Sequence, residues 1–188
     1  MARKGIWSRL LSVGLDVAAS ALKSSKRKPA STAAWPAPRA QQGSDGSVPA
    51  PAGDVTVEVD PRSVRSLRLS YSPERDGDAD AGEIVWTWVP YAENDGRGKD
   101  RPVLVVANGP AGRVYAVKFT SRSHHGDREY FALGSGPWDA QGRESWVDLD
   151  QLYSVPVDGL RREAAALDLE RFTRVAAELG RRYGWRAA

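Results

Sequence analysis

Between Pro90 and Asp100 the chain reads PYAENDGRGKD, which sets one aromatic ring, three carboxylates, two cations and two glycines within eleven residues. Carboxylates such as Glu93 and Asp95 move protons, and cations such as Arg97 and Lys99 neutralise anions. Arg101 follows at once, at the head of the apolar run PVLVV; taken alone, it reads as a charge snorkelling out from the end of a buried strand. A second polar group, His124, His125 and Asp127, lies shortly after Thr120 and Ser121. Two imidazoles and one carboxylate are too few to define a metal centre. Asp76, Asp78 and Asp80 imitate the start of a calcium loop, but Ala81 stands where a glycine is needed and Thr87 where the bidentate Glu belongs, so this is a solvated acidic joint. With no Cys in 188 residues, thiolate metal sites, disulfides and a Cys nucleophile are excluded. No metal and no cofactor are expected.

These residues need elements to hold them. GEIVWTWV alternates as a strand with Ile84, Trp86 and Trp88 on one face, and RPVLVVAN is a buried central strand by its β-branched run. Asn108-Gly109-Pro110-Ala111-Gly112 is a turn, and RVYAVKFTS is its hairpin partner, with Val114, Ala116 and Lys118 on one face. A long loop over 122–144 precedes SWVDLDQLYSVP, read as one strand ended by Pro156 and Asp158-Gly159. Asp168 then caps a helix in which Leu169, Phe172, Val175, Ala176 and Leu179 keep helical spacing, and Gly180 and Gly184 mark its end. Trp138 and Trp146 read as core or dimer contacts.

The charge is uneven. Lys and Arg total 27 against 24 Asp and Glu, yet residues 1–40 hold eight bases and one acid, residues 41–80 four bases and eight acids, and residues 81–188 fifteen of each. The basic character therefore belongs to the N-terminal arm. Residues 1–26 form a basic amphipathic segment, with a helix over 6–22 that would lie on an anionic membrane surface or dock on a partner. Residues 27–80 read as a flexible linker, with short strands at 54–71 suited to the edge of the following domain, and residues 81–186 as a compact domain. No run is long and apolar enough for a membrane-spanning helix, so a cytoplasmic location is expected.

The order GEIVW, polar glycine-bearing loop, RPVLVV, KFTS and WVDLDQLYSV before a C-terminal helix resembles the PemK/MazF toxins of type II toxin–antitoxin systems, over about residues 82–183. The resemblance implies a mostly β (α+β) fold, a small SH3-like barrel with a C-terminal helix, usually a homodimer whose groove an antitoxin segment blocks. It also implies metal-independent cleavage of single-stranded RNA, with the ribose 2′-OH attacking the phosphodiester. By the same resemblance, Arg101 and Thr120 are the catalytic positions, with Ser121 assisting. Tyr91, Arg97 and Lys99 would contact substrate from a lid loop hinged at Gly96 and Gly98; the alternative is a solvated hairpin connection, which Glu93, Asp95 and Asp100 in the same loop favour. Because guanidinium stays protonated, Arg101 suits charge stabilisation and proton donation better than proton abstraction. The base would then come from Glu93, Asp95, His124 or His125. Asp100 is expected to pair with Arg101 and to weaken RNA binding. A second reading is a non-catalytic module of the same fold, tethered through the N-terminal helix and binding nucleic acid or protein. Operator DNA binding finds no helix-turn-helix pattern here.

Overall fold

The computed structural model describes residues 48–51, 54–74 and 79–188, the side chains of 162–164 excepted. The helix expected over 6–22 and residues 27–47, 52–53 and 75–78 of the linker, Asp76 and Asp78 among them, lie outside the described residues. The elements run β1 (Val48–Pro49), β2 (Val57–Val59), a 3-10 turn (Pro61–Ser63), β3 (Arg68–Leu69), β4 (Glu83–Pro90), β5 (Arg97–Asn108), β6 (Arg113–Thr120) and β7 (Tyr130–Gly134). They continue with β8 (Ser145–Asp148), β9 (Leu152–Pro156), a 3-10 turn (Val157–Gly159), β10 (Arg161–Ala166), α1 (Leu169–Tyr183) and β11 (Arg186–Ala187). The fold is mostly β with one C-terminal helix, the class expected from the sequence.

At its centre β4, β5 and β6 form an antiparallel meander, extended by β10 beyond β4 and by β8 and β7 beyond β6. Successive strand residues point to opposite faces, so the meander feeds two apolar clusters. Ile84, Leu104, Val106, Val117 and Phe119 pack with Val147 and with Phe172, Val175 and Leu179 of α1. Val85, Val89, Val103, Val105, Val114 and Ala116 pack on the other side with Tyr153, Val155 and Leu160. The Asp168 carboxylate accepts the Arg171 amide at 2.9 Å, and Gly184 closes α1 in the left-handed region at φ 72°. Leu169, placed on the apolar face by its spacing, is instead 57% exposed.

Four expectations change. The segment Pro90–Asp100 is not a lid: β4 and β5 stay paired out to Pro90 and Gly98, leaving a short turn in which Tyr91 N–H donates to Arg97 O at 3.0 Å. Gly98 is no hinge either, since a Cβ there would lie 2.4 Å from Val89 O and 2.5 Å from the Trp88 ring. The loop over 122–144 contains β7, whose Tyr130 and Phe131 pair with β8. The single strand expected over 145–156 is two. β8 pairs with the end of β6 and β9 with its start, and residues 149–151 bulge between them.

Within residues 54–71 only Val57–Val59 and Arg68–Leu69 are strand, with a 3-10 turn between them. β2 pairs with the edge of β9, and Leu67 and Leu69 are buried in the same cluster as α1. Just before β2 Thr56 is buried, whereas Val57 is 44% exposed. β3 pairs in parallel with β11, so the chain on either side of the central domain closes together.

Candidate active-site cleft

The β5–β6 ladder ends at Val103 opposite Lys118, because the end of β6 turns away to pair Phe119 and Thr120 with Val147 and Trp146 of β8. Arg101 and Thr120 each lie two residues past that last rung. They stand across the gap where the strands part, and both line an open cleft of about 410 Å³. Its wall continues through Trp86, Lys99, Asp100, Pro102, Ser121, Arg122, Trp138, Asp139, Gln141 and Arg143.

Arg101 is half-buried and sits in β5 opposite Thr87. Among the described residues its guanidinium has no ion-pair or hydrogen-bond partner. Asp100, expected to neutralise it, instead pairs with Arg161 of β10. Adjacent strand residues face opposite ways, which turns the Asp100 carboxylate away from its neighbour. Thr120 is also half-buried, and its Oγ1 accepts the Arg122 amide at 3.1 Å. That bond takes up a lone pair and leaves the hydroxyl proton available to an incoming oxygen.

The cleft also holds residues that the sequence did not single out. Arg122 and Arg143 add positive charge, and Asp139 joins Asp100 as an acid of the wall, with Arg143 Nε 2.7 Å from the Asp139 Oδ2. Burial lifts the Asp139 carboxyl, but the hydrogen bonds from Arg143 and the Gln141 amide outweigh it and hold the group below its ordinary value. Spacing offers no signal for these residues, since they come from a stretch lacking any period.

Other expected site residues lie elsewhere. Tyr91 lines a separate cleft with Val55, Thr56, Glu58, Trp88 and Asn94. Asp95 is at the exposed hairpin tip, its carboxyl held below the ordinary range by the Arg97 side-chain and backbone N–H groups. Glu93 and Arg97 share that exposed tip, away from the gap between β5 and β6. His124 stacks on Tyr130 with ring centroids 3.5 Å apart, its Nδ1 3.5 Å from Asp127. His125 meets Trp146 edge-on at 5.4 Å, and Trp146 is the cross-strand partner of Thr120. Of the four candidate bases, His125 is thus the one tied to Thr120 through a single intervening residue. No group of three His, Asp or Glu suited to a metal ion occurs among the described residues.

A part-buried polar network begins at Lys118, the β6 residue opposite Val103. Lys118 Nζ is 3.3 Å from Asp148 Oδ2 and donates to Gln151 Oε1, which also accepts the Tyr153 hydroxyl at 3.0 Å. Burial lifts the Tyr153 phenol well above its ordinary value; Glu58 and Asp148 push the same way, and the Arg101 charge pushes against them.

The chain matches the family model for the PemK-like, MazF-like toxin of type II toxin–antitoxin systems over residues 80–182, and it belongs to that family. Among solved structures it is similar to a MazE–MazF complex from Deinococcus radiodurans, with 27% identity over 56% of this chain and 96% of that one, at a TM-score of 0.44. An endoribonuclease in complex with its cognate antitoxin, from a mycobacterial species, shares 18% identity over 56% of this chain and 95% of that one, at a TM-score of 0.42. The toxin MazF-mt6 of Mycobacterium tuberculosis shares 17% over 54% of this chain and 97% of that one, at a TM-score of 0.38. No curated protein sequence matches the chain. No helix of the described residues is long and apolar enough to cross a membrane.

Proposed function

We propose that this toxin-family chain is a metal-independent endoribonuclease acting on single-stranded RNA in the cytoplasm. The 2′-oxygen of the substrate attacks the adjacent phosphorus, the 2′-proton passes to a base, and the 5′-oxygen leaves with a proton. The products are a 2′,3′-cyclic phosphate and a 5′-hydroxyl. Arg101 supplies a fixed planar charge to the non-bridging oxygens of the phosphorane, and Thr120 donates its hydroxyl proton to one of them. The observation that carries the reading is that Arg101 and Thr120 line one open cleft, with the guanidinium uncompensated among the described residues. An uncompensated, half-buried cation has a charge to offer an anion. Membership of the family supports an antitoxin as the inhibitory partner, and we propose a homodimer as the working form.

The test is cleavage of single-stranded RNA in EDTA. Arg101→Ala and Thr120→Ala are each expected to slow cutting by about 10²–10³-fold. Arg101→Lys should recover only part of the loss, because an ammonium cannot reproduce the planar fork. Mass analysis should find cyclic phosphate ends. Undiminished cleavage in the double variant would remove both residues from the mechanism, and a wild-type chain that binds RNA without cutting it would favour the binding-module reading.

A further inference from the structure

β2 lies outside the family-matched residues 80–182, yet it pairs Val57, Glu58 and Val59 with Ser154, Tyr153 and Leu152 of β9. That register sets Glu58 at the edge of the Lys118–Gln151–Tyr153 network, beside the cleft that Tyr91 lines. The Glu58 carboxylate accepts from Gln151 Nε2 at 3.1 Å, and the same amide's oxygen takes Lys118 and Tyr153. Lys118 occupies the last β5–β6 rung, two residues from Thr120 and on the same face of β6. The Tyr153 phenol senses Glu58 and Arg101 with opposite sign. Arg101 lies two residues from Val103, the partner of Lys118, and on the same face of β5, so a carboxylate on an accessory strand reaches the network that flanks the Arg101 cation.

The strand is built to be released. Glu58 is exposed and Val57 is 44% exposed, and Val55 and Val59 are only half-buried, so little apolar area holds β2 down. Its attachments are polar. Arg113 grips it by Nη1 to Asp54 at 2.5 Å and Nη2 to Val55 O at 2.9 Å, and Thr56 meets Thr87, hydroxyl to hydroxyl, at 3.1 Å. The chain just beyond is anchored, because Pro61, Leu67 and Leu69 are buried. Contacts of the first kind open locally while those of the second hold.

We infer that residues 54–60 are an inhibitory strap in cis: seated on β9, they hold the Glu58 carboxylate where it repels an RNA phosphate approaching Arg101, and lifting the strap raises affinity for RNA. This rests on the ribonuclease reading of the cleft. A like charge at a partly screened site changes binding by a small factor that salt erases.

The experiment is fluorescence anisotropy of the full chain with a labelled single-stranded 2′-O-methyl RNA, which lacks the attacking hydroxyl and stays intact. Glu58→Gln keeps the acceptor for Gln151 and removes the charge, so it should tighten binding about threefold to fivefold at low salt, with the gain fading at high salt. Arg113→Ala loosens the strap at the end of β6 remote from Thr120. It should tighten binding too and speed hydrogen exchange at residues 152–155. If Glu58→Gln binds no more tightly than wild type while Arg101→Ala still loses affinity, the strap is overturned and the ribonuclease reading stands. If wild type and both strap variants all fail to bind RNA, both fall.

Discussion

Asp139 stands in the wall of a cleft whose other charges are mostly cationic, and Arg143 and the Gln141 amide hold its carboxyl below the ordinary value against the lift from burial. Such a group releases its proton more readily in the folded chain than in the unfolded one. Its contribution to stability is thus complete above the ordinary carboxylate value, about 3.9, and is lost as pH falls through the lower folded value. Urea unfolding of wild type and Asp139→Asn should therefore differ near neutrality, by about 0.5–1 kcal/mol given the half-exposed Arg143, and converge in acid. A gap that persists at the lowest pH would show that the carboxylate's charge is not what stabilises. At this scale the sequence was legible in part. Arg101 and Thr120 were reachable because RPVLVV and KFTS stand in a fixed order, and strand pairing brings their ends together. Asp139, Gln141 and Arg143 were not, because an aperiodic stretch carries no sign of what it will face. The expected Asp100–Arg101 pair failed on elementary strand geometry, since neighbours in a strand look to opposite sides and Asp100 finds Arg161 instead.

The β4–β5 hairpin shows how an element sets the site. Arg101 is fixed because β5 is held by β4 along its first half, and that pairing runs through Gly98 under the Trp88 indole. Val48 of β1 completes the seat: its carbonyl accepts Trp88 Nε1 at 3.2 Å and its backbone lies opposite Gly98. Gly98→Ala forces a methyl into Val89 O and the ring, so it should destabilise the fold by about 1–3 kcal/mol. Gly96→Ala meets open space at φ 81° and should cost only the backbone strain, about 1 kcal/mol. Chemical denaturation of the two variants separates the cases, and equal losses would mean that Trp88 yields easily. In the sequence those two glycines looked alike, as hinges of one polar loop; what separates them is a neighbour ten residues back, which no local pattern displays. β4, the core of β5, β6 and α1 were readable because alternation or helical spacing survives in each. β7 was not, since the glycines and proline after Leu133 break its period, and the division of β8 from β9 depends on the shared edge of β6.

For the folded unit as a whole, the central domain is closed by chain that flanks it on both sides. Arg186 N–H donates to Leu67 O at 3.1 Å and Ala188 N–H to Leu69 O at 2.7 Å, so residues before β4 and after α1 share one ladder. Trp185 is the keystone of this closure: 4% exposed, it donates Nε1 to Val64 O at 2.8 Å and packs its ring on Tyr183 at 4.8 Å between centroids. Because the cluster that receives Trp185 also receives Leu69, Phe172 and Leu104, opening the clasp exposes the main core instead of fraying an end. Trp185→Ala should then cost about 3–5 kcal/mol, and Trp185→Phe about 1 kcal/mol, from the carbonyl left without its donor. Both losses should appear in a single transition, with tryptophan fluorescence and far-ultraviolet circular dichroism coinciding across the urea range. Two separated transitions in the Trp185→Ala chain, the later one unchanged from wild type, would make the flanking segments an attachment to an independent barrel and would return the strap of residues 54–60 to the status of a passenger.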